Sequence, residues 1–237
     1  MHEVRSQPGR GMDELVDRVL SENLTYLSRP ALRQLARAVR SVERAAVPGA
    51  IVEAGTALGG SAIVMATAKR RVRPMYVYDL FGMIPPPGDN DDRDVHHRYQ
   101  SIVEGHSKGL GGEVYYGYRE NLLEDVRRSF TEFGLNPRRN SISLVPGLFQ
   151  DTIPTTGAVA LAHLDGDWYA STMTCLERIV PRLSVGGRLV VDDYKMWSGC
   201  RTAVDEYFST NRGCELTMKA RLHIVRVEPS TDGEKLR

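Results

Sequence analysis

The feature that most constrains the fold is an alternation that begins after Pro48, in which short apolar runs take turns with helical patterns. Ala50-Ile51-Val52-Glu53-Ala54-Gly55 reads as a buried strand and Ser61 to Arg70 as the helix after it. Met75 to Asp79, Ser141 to Pro146, Val159 to Asp165 and Arg188 to Asp193 read as further strands. Arg119 to Phe133, Ser171 to Leu183 and Cys200 to Asn211 supply helices between them. Strands separated by helices pair in parallel, with helices covering both faces. The end differs, because Glu215 to Ala220 and Arg221 to Glu228 follow one another with no helix between. The expected fold is therefore α/β and Rossmann-like: a doubly wound, mostly parallel sheet closed by a terminal antiparallel hairpin. Before Pro48, Leu35, Val39, Val42 and Ala46 mark the apolar side of a helix, and Arg33, Arg37, Arg40 and Arg44 stripe another side. A solvated face is the simpler reading of that stripe.

No repeat or Pro/Gly/Ser-rich linker divides the 237 residues, so one domain is expected, with a helical segment at 1–48, the sheet domain at 49–228 and a tail at 229–237. The chain carries 31 Lys and Arg against 30 Asp and Glu, which leaves no electrostatic footprint for nucleic acid or an anionic membrane. Its apolar runs are too short to span a bilayer, and no apolar secretory stretch stands near Met1. Three cysteines (Cys175, Cys200, Cys214) make an odd count without a CxxC pair, as expected of reduced residues in a cytoplasmic protein. One stretch, 82–112, fits neither pattern. It holds Pro85-Pro86-Pro87, Asp89, Asp91, Asp92 and Asp94, paired His96-His97 and several glycines, and reads as a lid or substrate loop less ordered than the strands. A solvated surface excursion reads nearly as well.

Two constellations carry chemistry. The first is the turn Glu53-Ala54-Gly55-Thr56-Ala57-Leu58-Gly59-Gly60-Ser61, which fits neither a Walker A loop nor the GxGxxG fingerprint. Its glycines would let a ligand approach the backbone, and a helix opens on free amides. Asp79 ends the next strand, where an acid in such sheets receives ribose hydroxyls. A ligand-free tight turn and a loop-capping Asp are the bland alternatives. The second constellation is acidic: Asp165-Gly166-Asp167 ends one strand and Asp192-Asp193 another, both opening on the same crevice. Two like charges about 4 Å apart at an effective dielectric near 20 cost about 4 kcal/mol, so such a set needs a cation, a shared proton or dispersal. With hard oxygens alone, the ion would resemble Mg²⁺, Mn²⁺ or Ca²⁺ rather than zinc. Helix capping is the competing reading for any single Asp, and His163 reads as a packed core histidine.

Taken in order, these motifs continue with Phe81-Gly82, Gly147-x-Phe149-x-Asp151-Thr152-x-Pro154, Tyr169-x-Ser171-Thr172, Gly186-Gly187, Tyr194, Trp197-x-Gly199-Cys200 and Ala203-Val204-Asp205-Glu206. From about Thr25 to Tyr207 the chain resembles the macrocin O-methyltransferase family of sugar and natural-product enzymes. The resemblance implies a class I methyltransferase fold using S-adenosylmethionine and Mg²⁺ or a similar divalent cation. It implies that Glu53, Gly55 and Ser61 line the methionine part of the cofactor, that Asp79 holds the ribose, and that Gly147 and Phe149 border the adenine. Thr25 falls in the segment that folds over the cofactor. Asp165, Asp192 and Asp193 match metal ligands, Asp165 lying also beside the cofactor and the reacting groups, and Asp167 matches the general base, with Gly166 letting the chain turn between Asp165 and Asp167. Leu80 stands where the family has Ser, and Met83-Ile84 alters the next loop, so the acceptor is not carried over.

The implied partner is a small hydroxylated acceptor, a sugar or glycoside, with no nucleic acid and no membrane; a homo-oligomer stays open. A sugar hydroxyl is a poor nucleophile at neutral pH, and a chelating cation with a nearby carboxylate answers that need. An enzyme of catechols or other phenolics would use the same logic, and Tyr99, Tyr115, Tyr116 and Tyr118 keep that alternative open. A catalytically silent cofactor-binding protein is the alternative from another class; it gives no reason for four crowded carboxylates.

Overall fold

The computed structural model describes residues 10–229. Seven strands form one sheet: β1 (Ala50–Ala54), β2 (Met75–Asp79), β3 (Ile142–Pro146), β4 (Val159–Leu164), β5 (Leu183–Val191), β6 (Cys214–Met218) and β7 (Leu222–Arg226). Their order is β3-β2-β1-β4-β5-β7-β6, with β1 to β5 parallel and the β6–β7 hairpin antiparallel. The doubly wound sheet and the closing hairpin are both present. Strand β5 starts five residues earlier than its pattern predicts. Gly186 there takes φ 79°, and the pairing of β4 with β5 shifts register between Val159 and Leu161.

Helices α1 (Arg10–Ser21), α2 (Arg29–Arg44), α3 (Gly60–Ala68) and α5 (Leu122–Glu132) contribute to one face, with α4 (Arg93–Val103) lying in the 82–112 stretch. On that face Leu32, Leu35, Ile63, Met65 and Phe130 pack with Ile51, Met75 and Leu161. Short α6 (Phe149–Thr152), α7 (Tyr169–Ile179) and α8 (Ser198–Thr210) cover the other, where Leu176, Ile179 and Val204 meet Val52, Ala162 and Leu189. Each fully buried side chain of this size contributes about 2 kcal/mol. The arginine stripe of α2 is partly spent on α1, since Arg33 pairs with Asp13 and Arg29 with Asp17. The N-terminal helices belong to the same packed unit as the sheet: the Leu24 carbonyl, between α1 and α2, accepts the Gly60 amide at 2.9 Å. Among the described residues no helix is long and apolar enough to cross a membrane, and the three cysteines are free. Of the expected tail, residues 230–237 lie outside the described residues.

The 82–112 stretch departs from its sequence reading. Its middle is helical, and its acidic run works as a clasp. Asp91 is buried; its carboxylate accepts the Gly88 amide at 3.0 Å and, at the start of α7, the Tyr169 amide at 2.8 Å. Asp94 accepts the Ser198 amide at 3.0 Å at the start of α8. The Trp168 indole donates to the Pro85 carbonyl at 2.9 Å. Carboxylates at helix N-termini satisfy free amides and suit the positive end of the dipole, which is why acids composed like a solvated loop pack inward. A side chain on Gly199 would begin 1.8 Å from the Asp91 carboxylate, so that glycine is where the clasp closes.

Candidate active site

The strand order reverses between β1 and β4, and the crevice beyond their carboxyl ends is where such sheets place a site. Three residues other than glycine in the left-handed region stand here, Ala57 after β1, Phe81 after β2 and Asp167 after β4. Such conformations persist where surrounding contacts hold them.

The glycine turn is explained largely by backbone packing. A Cβ on Gly55 would lie 1.9 Å from the Asp165 carbonyl oxygen, and one on Gly60 2.5 Å from that of Leu24. Thr25 is buried against Gly60. Asp79 is buried and its carboxylate accepts the amides of Thr56 (2.7 Å), Ala57 (3.1 Å) and Phe81 (2.7 Å). It therefore organises the turn: the loop-capping reading is present in the geometry, and a ribose hydroxyl would have to share oxygens already engaged. Gly147 (φ 137°) donates its amide to the Asp79 carbonyl at 3.0 Å, and Phe149 opens α6 beside the same rim.

Glu53 and His163 face each other across paired strands, completely buried, with His163 Nδ1 3.3 Å from Glu53 Oε1. Ser61 donates its hydroxyl to the same Glu53 oxygen. His163 Nε2 lies 3.7 Å from Asp192 Oδ1, and Arg221 donates from Nε to that oxygen at 2.5 Å. Burial disfavours a charged imidazole, but Glu53 and Asp192 outweigh it and push His163 up to about 10. Burial likewise raises Asp192, but His163 and Arg221 bring it below the ordinary carboxylate range. Burial raises Glu53 above its ordinary value although His163 and Ser61 draw it down, and along the chain Glu53–His163–Asp192–Arg221 acids and bases alternate.

Asp165, Asp167 and Asp193 offer carboxylate oxygens all within 4.8 Å of one another. Burial and then the Asp193 charge drive Asp165 and Asp167 well above the ordinary range, and burial with the Asp192 charge pushes Asp193 up to about 6. The Asp167 amide donates to Asp193 Oδ2 at 3.2 Å, while a hydrogen bond from Trp197 favours the ionised Asp167. The sequence brings Asp165, Asp167, Asp192 and Asp193 to one rim, and the resemblance takes Asp165, Asp192 and Asp193 as ligands; in the structure Asp165, Asp167 and Asp193 stand closest together and Asp192 is held against Arg221. The turn after Asp165 is made by Asp167 itself (φ 54°), so Gly166 is not the residue that turns left-handed. His163, Arg221 and Trp197 were not singled out as functional by spacing, and His163 was read as core.

These features fit the groups the fold implies. Glu53 Oε2 and Thr56 Oγ1, both buried on the glycine turn, lack hydrogen-bond partners among the described residues, as suits a cofactor bearing donors. Three crowded hard oxygens suit a divalent ion of the Mg²⁺ kind. A glycine turn, an acid ending β2 and a carboxylate set at the ends of β4 and β5, on a sheet closed by a hairpin, define a class I O-methyltransferase.

The macrocin-O-methyltransferase (TylF) family model matches residues 16–220, and the chain belongs to this family. It is 33% identical over 193 residues to demethyldecarbamoylnovobiocin O-methyltransferase of Streptomyces niveus, covering 77% of this chain and 67% of that relative. Over the same length it is 34% identical to 8-demethyl-8-(2,3-dimethoxy-alpha-L-rhamnosyl)-tetracenomycin-C 4'-O-methyltransferase of Streptomyces olivaceus, with coverage of 77% and 67%. The solved structure of the O-methyltransferase NovP superposes with a TM-score of 0.70 at 30% identity, covering 86% of this chain and 83% of that one.

Proposed function

We propose that this O-methyltransferase moves the methyl group of S-adenosylmethionine to a hydroxyl of a sugar or glycosylated natural product, with Mg²⁺ or a similar cation at the acidic cluster. The observation that carries the reading is the convergence of Asp165, Asp167 and Asp193 within 4.8 Å beside the glycine turn. The names of the novobiocin and rhamnosyl-tetracenomycin relatives describe those proteins; here the support is the shared family together with the site.

In this reading Glu53, Thr56 and Ser61 hold the amino-acid end of the cofactor, and Asp79 fixes the turn and meets the ribose. Gly147 and Phe149 border the adenine, and Thr25 closes over the cofactor. A bound cation supplies Lewis-acid chemistry that lowers the pKa of a chelating hydroxyl. Asp165 and Asp193 would be its ligands, and Asp192, held at the same rim by Arg221 and His163, would be the third. Asp167 takes the hydroxyl proton, a role suited to a carboxylate whose surroundings raise its proton affinity. The remaining acceleration comes from aligning the hydroxyl with the methyl group.

The test is transfer of labelled methyl from S-adenosylmethionine to a panel of glycosides and catechols, with and without a chelator. Transfer to glycosides, lost on chelation and restored by Mg²⁺, is expected. No transfer to any hydroxyl would sink the reading; chelator-resistant transfer would remove the metal from it.

A further inference from the structure

A wall of tyrosines runs from the glycine turn toward the 82–112 stretch. Thr25 packs on Gly60, and the next residue, Tyr26, meets the Tyr116 ring edge-on at 6.1 Å between centroids. Tyr116 meets Tyr115 at 4.4 Å. Tyr115 is buried at 3% exposure and roots the wall, whereas Tyr26 presents 45% of its surface. Arg98, on α4, sets its guanidinium over the Tyr115 ring at 5.5 Å and donates from Nη1 to Ser107 Oγ at 3.0 Å. Among the described residues it has no carboxylate within ion-pair distance, whereas Arg119 nearby reaches Asp125 at 3.7 Å and Arg221 has Asp192.

A guanidinium held by an aromatic face and a hydroxyl is fixed in place with its charge unspent and several donors free. Arg98 lies one helical turn after Asp94, whose carboxylate holds the start of α8 just past Asp193, so α4 carries it to the rim where the carboxylates stand. Asp165, Asp167 and Asp193 give that rim a negative side whose charge is not paired within the protein, and an anionic substituent on an acceptor there would be repelled without a cation such as Arg98.

We infer that the Tyr26–Tyr116–Tyr115 wall receives the acceptor and that Arg98 recognises an anionic substituent on it, phosphoryl or carboxylate. The preferred substrates are then phosphate-linked or acidic sugars rather than neutral glycosides. This rests on the O-methyltransferase reading above.

The experiment is a calorimetric titration of the protein holding S-adenosylhomocysteine and Mg²⁺ with a hexose 1-phosphate, a methyl hexuronide and a neutral methyl hexoside. One anionic probe is expected to bind at least about tenfold more tightly than the neutral one, and which one it is identifies the source of the charge. Arg98→Gln should abolish the preference and Arg98→Lys should keep part of it, both with unchanged melting temperature. Equal affinity for all three probes, or binding of none, overturns the inference. So does an equal loss for every probe in Arg98→Gln, which would leave the arginine merely bracing Tyr115. Weakened S-adenosylhomocysteine binding with acceptor preference intact would assign Arg98 to the cofactor carboxylate and likewise overturn it. Methyl transfer to neutral glycosides without an anionic preference would end this inference while leaving the proposed function standing.

Discussion

Two halves of one ring of acids behave differently. Glu53 and Asp192 alternate with His163 and Arg221, so each buried carboxylate has a cation beside it. Asp165, Asp167 and Asp193, at the same rim, have chiefly one another. A folded chain tolerates crowded negative charge when something outside it, or a proton, supplies the balance. On the proposed function the uncompensated half is where an external cation and a transferred proton belong, and Asp192 borders it from the compensated half.

The comparison is broken or sharpened most strongly by turnover. Asp167→Asn should lower the methyl-transfer rate about 10²- to 10⁴-fold while calorimetric Mg²⁺ binding persists. Loss of metal as complete as in Asp193→Asn would make Asp167 a ligand instead. Next in size is stability. Removing one partner of a buried ion pair costs about 3–5 kcal/mol, so His163→Gln should unfold at markedly lower denaturant. Asp193→Asn in the ligand-free protein should be neutral or gain about 1 kcal/mol. Equal destabilisation by the two would erase the distinction between the halves.

A smaller effect is expected from the ion itself. At a hundredfold excess over its dissociation constant Mg²⁺ should stabilise by about 2.7 kcal/mol, seen as a higher melting temperature that Asp165→Asn abolishes. Smallest is the pH dependence of the ligand-free protein. Asp193, raised from 3.8 to about 6, contributes stability that is full below about pH 4 and is lost as pH rises through 6. Buried His223, lowered from 6.5 to about 4, acts oppositely: its contribution is full above pH 6.5 and is lost as pH falls through 4. Between pH 7 and pH 5 each changes stability by roughly 1–2 kcal/mol, so a His223→Gln variant should expose the carboxylate effect alone, with stability rising from pH 7 to pH 5. A flat profile in that variant would contradict the strain assigned to Asp193.

The sheet was legible because its strands are short apolar runs bounded by turns, and the hairpin because no helical pattern separates its halves. Asp165, Asp167 and Asp193 were legible because strand ends in such a sheet share one rim. Arg221 was not, since it meets Asp192 only through the antiparallel register that pairs Val191 with Leu222. Gly55 and Gly60 were found but credited to a ligand; close approach of Asp165 and Leu24 demands the same missing Cβ, and sequence does not separate the two causes. Asp91 and Asp94 looked solvated because the helix starts they cap lie some eighty and a hundred residues away in the chain.

That clasp sets a boundary for engineering. Helices α7 and α8 start directly after the turns that carry Asp167 and Asp193, and Asp91 and Asp94 hold both starts. A graft that exchanges the whole stretch would unfasten the turns that carry Asp167 and Asp193. Splices made after Asp94 leave the fastening in the recipient and let Arg98 vary by itself.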